Sequence, residues 1–387
     1  MRDEPARRLK ADLMHIMVVI HDFQPGGVER IAIRLASWWA ADGVRVTVTC
    51  GTPTGPLKPL LSERVSLIAP ARELKRARFS RLRLALFAAR VARQSRPDVI
   101  FLPGNYYVGV GSVMKLVLGR GCPRIVSKLS NPLHRGDRGR FRQWTFDRSI
   151  RWKTKFSDHL VFMSSELQED ARTVIQDVLT KSIVIPQPVL DRVGRIKGRV
   201  EAKSDEAIEL MAAGRLVPQK NIGLMIDALA RLGTSSVKLT IFGEGPDRAK
   251  LETKITMLGL ERHVELAGYT NDWQDRLQQA RLFLLSSNFE GFPSVVIEAL
   301  AAGVPVIATD CSPAIHSILK SDEFGTVVAT GDPEAFACAI VECLRRSRPE
   351  PSVLAKSVEN FQLERSAQAY LSLFRELSQA RASSRPS

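Results

Sequence analysis

No run of about 18 or more uncharged apolar residues occurs in this 387-residue chain, so no membrane-spanning helix is expected. The first residues, MRDEPARRLKADL, lack the apolar core of a secretory leader, and no such signal is expected. Cysteine is scarce: five residues, at positions 50, 122, 311, 338 and 343, scattered and odd in number. That builds neither a disulfide framework nor a zinc site, and it suits a reducing cytoplasm. Acidic residues are scarce in one half only. Residues 1–200 hold 36 Lys and Arg against 17 Asp and Glu, a balance of +19, whereas residues 201–387 hold 20 against 24, a balance of −4. The first half should therefore meet something anionic: a membrane surface, a phosphorylated acceptor or nucleic acid. No nucleic-acid motif accompanies the charge, and no nucleic-acid partner is expected. The length exceeds one ordinary core, so two domains are expected.

What is present centres on residues 286–310, SSNFEGFPSVVIEALAAGVPVIATD. An apolar strand, Leu282 to Leu285, leads in. Pro293 is placed at the first position of a helix, Gly303 at its C-terminal stop, and Val304 to Ala308 forms the next strand. This is a βαβ unit whose loop lies at the carboxyl end of a strand, where open α/β sheets bind ligands. Free backbone N–H groups are expected at Gly291, Phe292 and Ser294, and with the helix dipole they favour an anionic or hydroxyl-rich ligand. Glu298, four residues after Ser294, shares its helix face. Glutamates are usually solvated. The apolar ALAAGVPV that follows, however, does not suit a surface helix, and it aims Glu298 at a cleft. Glu290 and Glu298 near clustered donors suit a ligand with many hydroxyls, such as a sugar joined to a ribose.

The spacing Glu290-x7-Glu298 within EGFPSVVIEALAAGVPVIATD resembles the nucleotide-sugar signature of the retaining glycosyltransferases of family 4, the group 1 glycosyltransferases with the GT-B fold. Acid spacing, glycine, proline and the trailing Ala-Gly-x-Pro-Val-Ile all coincide. The resemblance covers nearly the whole chain. It is dense from Ala213 to Thr309 and thin from Arg72 to Lys155, where relatives bind acceptors.

From the start, IMVVI within His15 to His21 reads as a strand, and Gly26-Gly27 opens a helix over 28–41. Glycine lets a backbone approach a phosphate at such a turn. The resemblance places the GGxER turn, and so Gly27, near the donor diphosphate. Arg72 to Arg96 reads as a basic helical segment, with Leu82, Leu86, Ala89 and Val91 on one apolar face. It suits either anionic lipid or a solvated domain surface. DVIFL (98–102) is a strand with Pro103 to Tyr107 at its carboxyl end. After a fifth strand, Arg124 to Lys128, arginines interleave with Phe141, Trp144, Phe146, Trp152 and Phe156. That mixture suits a membrane interface, a lipid-phosphate acceptor or single-stranded nucleic acid, although half of the rings suit a core. Many family members carry a histidine at the end of this strand. Here Ser130-Asn131-Pro132 has none, and His134 and Asn131 stand as the candidates. Ser164-Ser165 caps a helix near Glu166, and Ile183 to Val189 resembles the family's exit from the first domain. The polar linker falls over 191–205.

In the second half, Ile208 to Ala213 is a strand, then Arg215 and Lys220 follow in G-R-L-x-x-x-K-N, which resembles the family's diphosphate-gripping loop. Asn221 is placed as the cap of the next helix. Gly243-Glu244-Gly245-Pro246 resembles the turn that shapes the nucleotide pocket. Gly268-Tyr269-Thr270 matches the segment where relatives hold the base. Trp273 to Ala280 reads as a short helix.

The fold class is thus α/β, two doubly wound Rossmann-like domains facing across a cleft. Residues 1–190 form an acceptor domain joined by a C-terminal helix near 363–378, and 205–362 form a nucleotide-sugar domain. The resemblance implies that Glu298 holds the ribose and Glu290 the sugar, that Arg215 and Lys220 hold the diphosphate, and that no cofactor or metal is used. No Asp-x-Asp triplet occurs, which disfavours the metal-dependent transferases of the other common architecture. The partners expected are a nucleotide sugar, with UDP as the nucleotide, a glycan or polyprenyl-diphosphate-linked acceptor, and an anionic membrane on its cytoplasmic face. A same-fold epimerase or hydrolase is the alternative.

Overall fold

Strands that read as unbroken apolar runs, such as HIMVVI, VIFL and LFLL, are buried on both faces, as parallel strands covered by helices on either side must be. The computed structural model describes residues 14–134, 138–191, 207–233, 237–270 and 272–383, with side chains through 380. Apart from Asp191, the expected linker lies outside these residues. The chain divides into two compact units, Met1–Pro188 with Leu363–Ser387, and Val189–Gln362.

The first unit holds a parallel sheet in the order β3-β2-β1-β4-β5-β6-β7. Its strands are β1 (His15–Ile20), β2 (Arg45–Cys50), β3 (Ser66–Ile68), β4 (Val99–Leu102), β5 (Arg124–Leu129), β6 (His159–Phe162) and β7 (Ser182–Val184). Helix α1 (Gly27–Ala41) joins β1 to β2. Helices α2 (Ser80–Ser95), α3 (Asn105–Leu118) and α4 (Arg140–Thr154) follow β3, β4 and β5. They lie side by side, with α3 touching both neighbours. The strand order reverses direction at β1 and β4, so right-handed connections put this layer on the face opposite α1. Helix α5 (Ser165–Arg172) begins where Ser164 accepts a hydrogen bond from the Leu167 N–H, the expected cap.

Two expectations for the basic segment need correction. Residues 72–79 are not helical; α2 starts at Ser80. Its buried side is Leu84, Ala85, Ala88, Ala89, Val91 and Ala92, whereas Leu82 and Leu86 are exposed. Alanine is small enough to pack α2 against α3, and the alanine stripe rather than the leucines faces inward.

The second unit holds a parallel sheet in the order β10-β9-β8-β11-β12-β13. These strands are β8 (Ile208–Ala213), β9 (Val237–Phe242), β10 (Val264–Gly268), β11 (Leu282–Leu285), β12 (Val306–Thr309) and β13 (Gly325–Val328). Helices α6 (Ile222–Arg231) and α7 (Arg248–Met257) belong to its first half. Helix α8 (Trp273–Arg276) is a single turn that continues as a 3₁₀ turn over Leu277–Gln279, rather than one helix to Ala280. Helix α9 (Ser294–Ala301) buries Val296, Ile297, Ala299 and Leu300, as its apolar sequence demands, and Gly303 follows at φ +78°. Helices α10 (Ile315–Ile318), α11 (Pro333–Arg345) and α12 (Pro351–Ser357) complete the unit.

The last helix, α13 (Leu363–Ser383), returns to the first unit and packs on α1 and β4. Trp39 of α1 anchors it. The indole meets Phe101, Tyr370 and Phe374 edge-on, with centroids 5.7, 6.0 and 5.3 Å away, and donates from Nε1 to the Ala367 carbonyl at 3.0 Å. Such aromatic contacts add to the apolar area they bury. The Tyr370 hydroxyl is buried with no partner among the described residues. Removing a buried, unpaired hydroxyl costs nothing, whereas emptying an aromatic site leaves a cavity. Tyr370→Phe should therefore hold or raise the thermal midpoint, and Phe374→Ala should lower stability by about 3 kcal/mol or more, both read by thermal and urea unfolding.

Candidate active site

In the second unit the strand order reverses between β8 and β11, the switch point at which open parallel sheets bind ligands beyond the strand carboxyl ends. The loop after β8 carries Arg215 and Lys220; the loop after β11 carries Glu290. The two are laced together. Ser286 Oγ donates to the carbonyls of Lys220 and Asn221, both at 2.9 Å, and Gln219 Nε2 donates to the Phe289 carbonyl at 2.9 Å. The Asn288 N–H reaches the Gln219 carbonyl at 2.8 Å. At the centre, Lys220 Nζ donates to Glu290 Oε1 at 2.5 Å, and Ser287 Oγ donates to the same oxygen at 2.6 Å. Both charged side chains are largely buried. Lys220 has three N–H donors and spends one here.

Arg215 is exposed, and its side chain has no partner among the described residues. Its loop is held from above. A Cβ on Gly243, whose φ is +145°, would lie 1.8 Å from the Gly214 carbonyl oxygen, and one on Gly245 would lie 2.2 Å from that of Leu216. Only glycine lets the two loops cross so closely. The crossing is fixed by hydrogen bonds of 2.9 Å from Gly214 N–H to Phe242 and from Leu216 N–H to Glu244. Both glycines thus shape the loop that presents Arg215. Tyr269, just past β10, is exposed.

The turn into α9 differs from the expectation. Pro293 is the N-cap rather than the first helical residue, with φ −80° and ψ 74°. These angles are those of an inverse γ-turn, which closes between its flanking residues. The Ser294 N–H accordingly donates to the Phe292 carbonyl at 2.9 Å and is not free. The N–H groups of Gly291 and Phe292 find no backbone acceptor among the described residues. Phe292 itself is buried against Phe361. Glu298 is half-buried on α9. The neighbouring loop after β12 closes the floor, where Glu290 N–H meets the Cys311 carbonyl at 2.6 Å. Burial, and next the Glu290 charge, push the Cys311 thiol up to about 12, so it stays protonated and unreactive. Asn221 occupies the N-cap of α6 without capping it. Its φ is +45°, and its amide instead donates to Asn288 at 3.1 Å.

In the first unit, Gly27 is exposed at the start of α1, with open space around a would-be Cβ. Beneath it lies an ionic cluster that the sequence alone did not disclose. Asp22 takes a forked bond from Arg76 at 2.7 and 3.2 Å, and Arg76 also reaches Glu29 at 3.3 Å. Tyr107 donates to Glu29 at 2.9 Å and accepts from the His21 N–H at 2.9 Å. Burial opposes the Asp22 charge, but Arg76 outweighs it and holds the carboxyl below its ordinary range. The signal was available in part. Asp22 and Glu29 flank the Gly26-Gly27 turn, but Arg76 comes from a segment read as helix.

His134 and Asn131 follow β5. The His134 ring is drawn to Asp170 at 3.2 Å and lies near Thr173. The Asn131 N–H donates to Asn105 Oδ1 at 3.2 Å, which also takes the Ser130 N–H at 2.6 Å. Asn131 therefore sits beside the first residue of α3, whereas His134 is tied to α5 through Asp170.

The family model for glycosyl transferases group 1 matches residues 195–360, and that for the glycosyl transferase 4-like domain matches residues 26–178. The lipopolysaccharide core biosynthesis glycosyltransferase LpsE of Rhizobium meliloti is 33% identical over 187 residues, 46% of this chain and 54% of that protein. The N-acetylgalactosamine-N,N'-diacetylbacillosaminyl-diphospho-undecaprenol 4-alpha-N-acetylgalactosaminyltransferase of Campylobacter jejuni is 32% identical over 168 residues, 42% of this chain and 46% of that protein. The chain thus spans about half the length of these curated relatives. Among solved structures, Anabaena HepE in complex with UDP and glucose superposes with a TM-score of 0.72 at 19% identity, covering 94% of this chain and 100% of that one. At that identity the likeness shows the two-Rossmann GT-B fold.

The Lys220–Glu290 pair makes the two loops energetically dependent on each other. Losing one partner strands the other's charge, at a cost of about 2 kcal/mol or more. Lys220→Met and Glu290→Gln should each destabilise the protein, and the double variant should cost less than the two together. A double-mutant cycle by urea unfolding should return a coupling of about 1–3 kcal/mol.

Proposed function

We propose, for a chain that belongs to the group 1 glycosyltransferases, a metal-independent retaining transfer of a hexosyl group. The donor is a nucleotide sugar, a UDP-sugar, and the acceptor is a lipid-linked or polysaccharide-precursor glycan at the cytoplasmic face of a membrane. The observation that carries this reading is the Lys220–Glu290 pair at the β8/β11 switch point, on a loop that also carries the exposed Arg215, whose side chain has no partner among the described residues. Arg215 offers a planar fork and Lys220 a compact charge with two donors to spare, a pair that suits a diphosphate. Glu290, oriented by Lys220 and Ser287, takes hydroxyls of the transferred sugar. Glu298, on the face of α9, takes the ribose. The Gly291 and Phe292 N–H groups supply further donors. Gly243, Gly245 and Tyr269 are assigned to the nucleotide, and Gly27, in the first unit, to a phosphate that its open backbone lets approach.

In the reaction, the bond from the anomeric carbon to the diphosphate oxygen loosens first, leaving an oxocarbenium-like centre and carrying its electron pair to the phosphate. Arg215 and Lys220 stabilise the charge that grows there. The acceptor hydroxyl attacks from the same face and gives its proton to the departing phosphate oxygen, so configuration is kept without a protein base. Asn131, whose backbone is fixed by Asn105, is the candidate for ordering the acceptor. His134 is the second candidate, although Asp170 competes for its ring. The names of the Rhizobium and Campylobacter relatives point to lipopolysaccharide core and diphospho-undecaprenol acceptors, which supports an acceptor of that class here.

A ligand that binds only the folded state raises its stability by mass action, by about 2.7 kcal/mol at a hundredfold excess over Kd. Thermal scans with UDP, GDP and ADP should show the largest upward shift with UDP. Glu298→Ala should abolish that shift, and Glu290→Ala should retain it while losing turnover. No shift with any nucleotide, or full activity in both variants, overturns the assignment.

A further inference from the structure

Helices α2, α3 and α4 form one layer of the first unit, and together they carry ten Lys and Arg residues against a single acid, Asp147. The same layer leaves large apolar side chains in water, between 46% and 76% exposed. Scattered exposed leucines need no explanation, but large apolar side chains gathered at the same end of two helices of a basic layer do. These side chains divide by position. A chain leaving a parallel strand enters its helix at the sheet's carboxyl edge, so helix N-termini lie at that edge. Phe79 and Leu82 sit at the start of α2, Phe141 and Trp144 at the start of α4, and Leu86 less than two turns into α2. Leu116 and Trp152 lie at the opposite ends of α3 and α4.

We propose that the carboxyl-edge end of this layer, built on Phe79, Leu82, Phe141 and Trp144 with the surrounding arginines, is a docking surface for an anionic lipid bilayer. Rings and leucines at such a place enter the headgroup region while arginines meet lipid phosphates. The chemistry favours a bilayer over a polynucleotide. Exposed leucines gain nothing on a polyanion. Trp144 already stacks on Phe141, at 25° between planes, and carries Arg148 at 5.3 Å, so its own chain holds places a nucleobase would take. The surface rests on the transferase reading for its purpose: it would bring the sheet edge that holds Asn131 and Asn105 against the bilayer, within reach of a headgroup-borne acceptor. Its existence as a binding surface does not depend on turnover.

The test is vesicle flotation of the whole protein at low salt, with phosphatidylcholine alone or mixed with phosphatidylglycerol. Binding should require the anionic lipid. The double variant Phe141→Ser with Trp144→Ser should weaken partitioning by about tenfold or more, and Leu116→Ser with Trp152→Ser by less than about twofold. Nucleotide-induced thermal stabilisation, unchanged from wild type in both variants, shows that each is folded. Its absence in the wild type is a failure of the donor assignment and leaves the docking result standing. No vesicle binding by wild type, binding indifferent to anionic lipid, equal loss in the two variants, or binding to single-stranded RNA without binding to vesicles would each overturn the proposal.

Discussion

One ion pair ties the second unit's chemistry to its architecture. Lys220 and Glu290 are 70 residues apart in sequence, yet each ends a loop that leaves one of two adjacent strands, β8 and β11. Because the sheet is parallel, both loops open on the same edge. Because the strand order reverses there, no helix crossover covers the gap. The pair is the bond that this topology allows, and Ser286, Gln219 and Asn288 repeat it in neutral form. Arg215 is different in kind. Its side chain has no partner among the described residues, and it stands on a loop that two glycines fix from above. One charge is held and one is offered, the arrangement that the proposed diphosphate site calls for.

The first unit solves a similar problem with opposite bookkeeping of sign. At its own reversal, between β1 and β4, two carboxylates lie buried under the start of α1, where the helix dipole already favours negative charge. Arg76 is the counter-charge that makes the arrangement tolerable, and Tyr107 ties it to the β4 side. Removing such a partner would leave acids desolvated and unmatched.

Much of this was legible in sequence because it is periodic. Unbroken apolar runs announced parallel strands, and the Glu290-to-Asp310 stretch announced a loop and helix at a strand end. What escaped notice is what depends on size and on distant partners. The buried face of α2 is mostly alanine, with Leu84 and Val91, and alanine weighs less than leucine in hydropathy, so Leu82 and Leu86 suggest an apolar face on the exposed side. A proline before a helix does not reveal its ψ, so nothing in the sequence shows that the Ser294 N–H is engaged. The union of Lys220 with Glu290 is invisible in sequence, since 70 residues separate the two and only the sheet order brings their loops together. Arg76 was hidden inside a run of arginines, where nothing local distinguishes the one that is anchored.

The return of α13 to the first unit has a consequence for how the chain is made. Trp39 and Phe101 emerge early in synthesis, but the aromatic rings that cover them, Tyr370 and Phe374, arrive more than 250 residues later. Domains generally fold as they emerge. Here the second unit is completed while the first still exposes a bare aromatic cleft, so the half made first is the half finished last. During that interval the nascent chain presents a sticky surface that a holdase can shield, and a ribosome stalled after the second unit would release a product with one half still open.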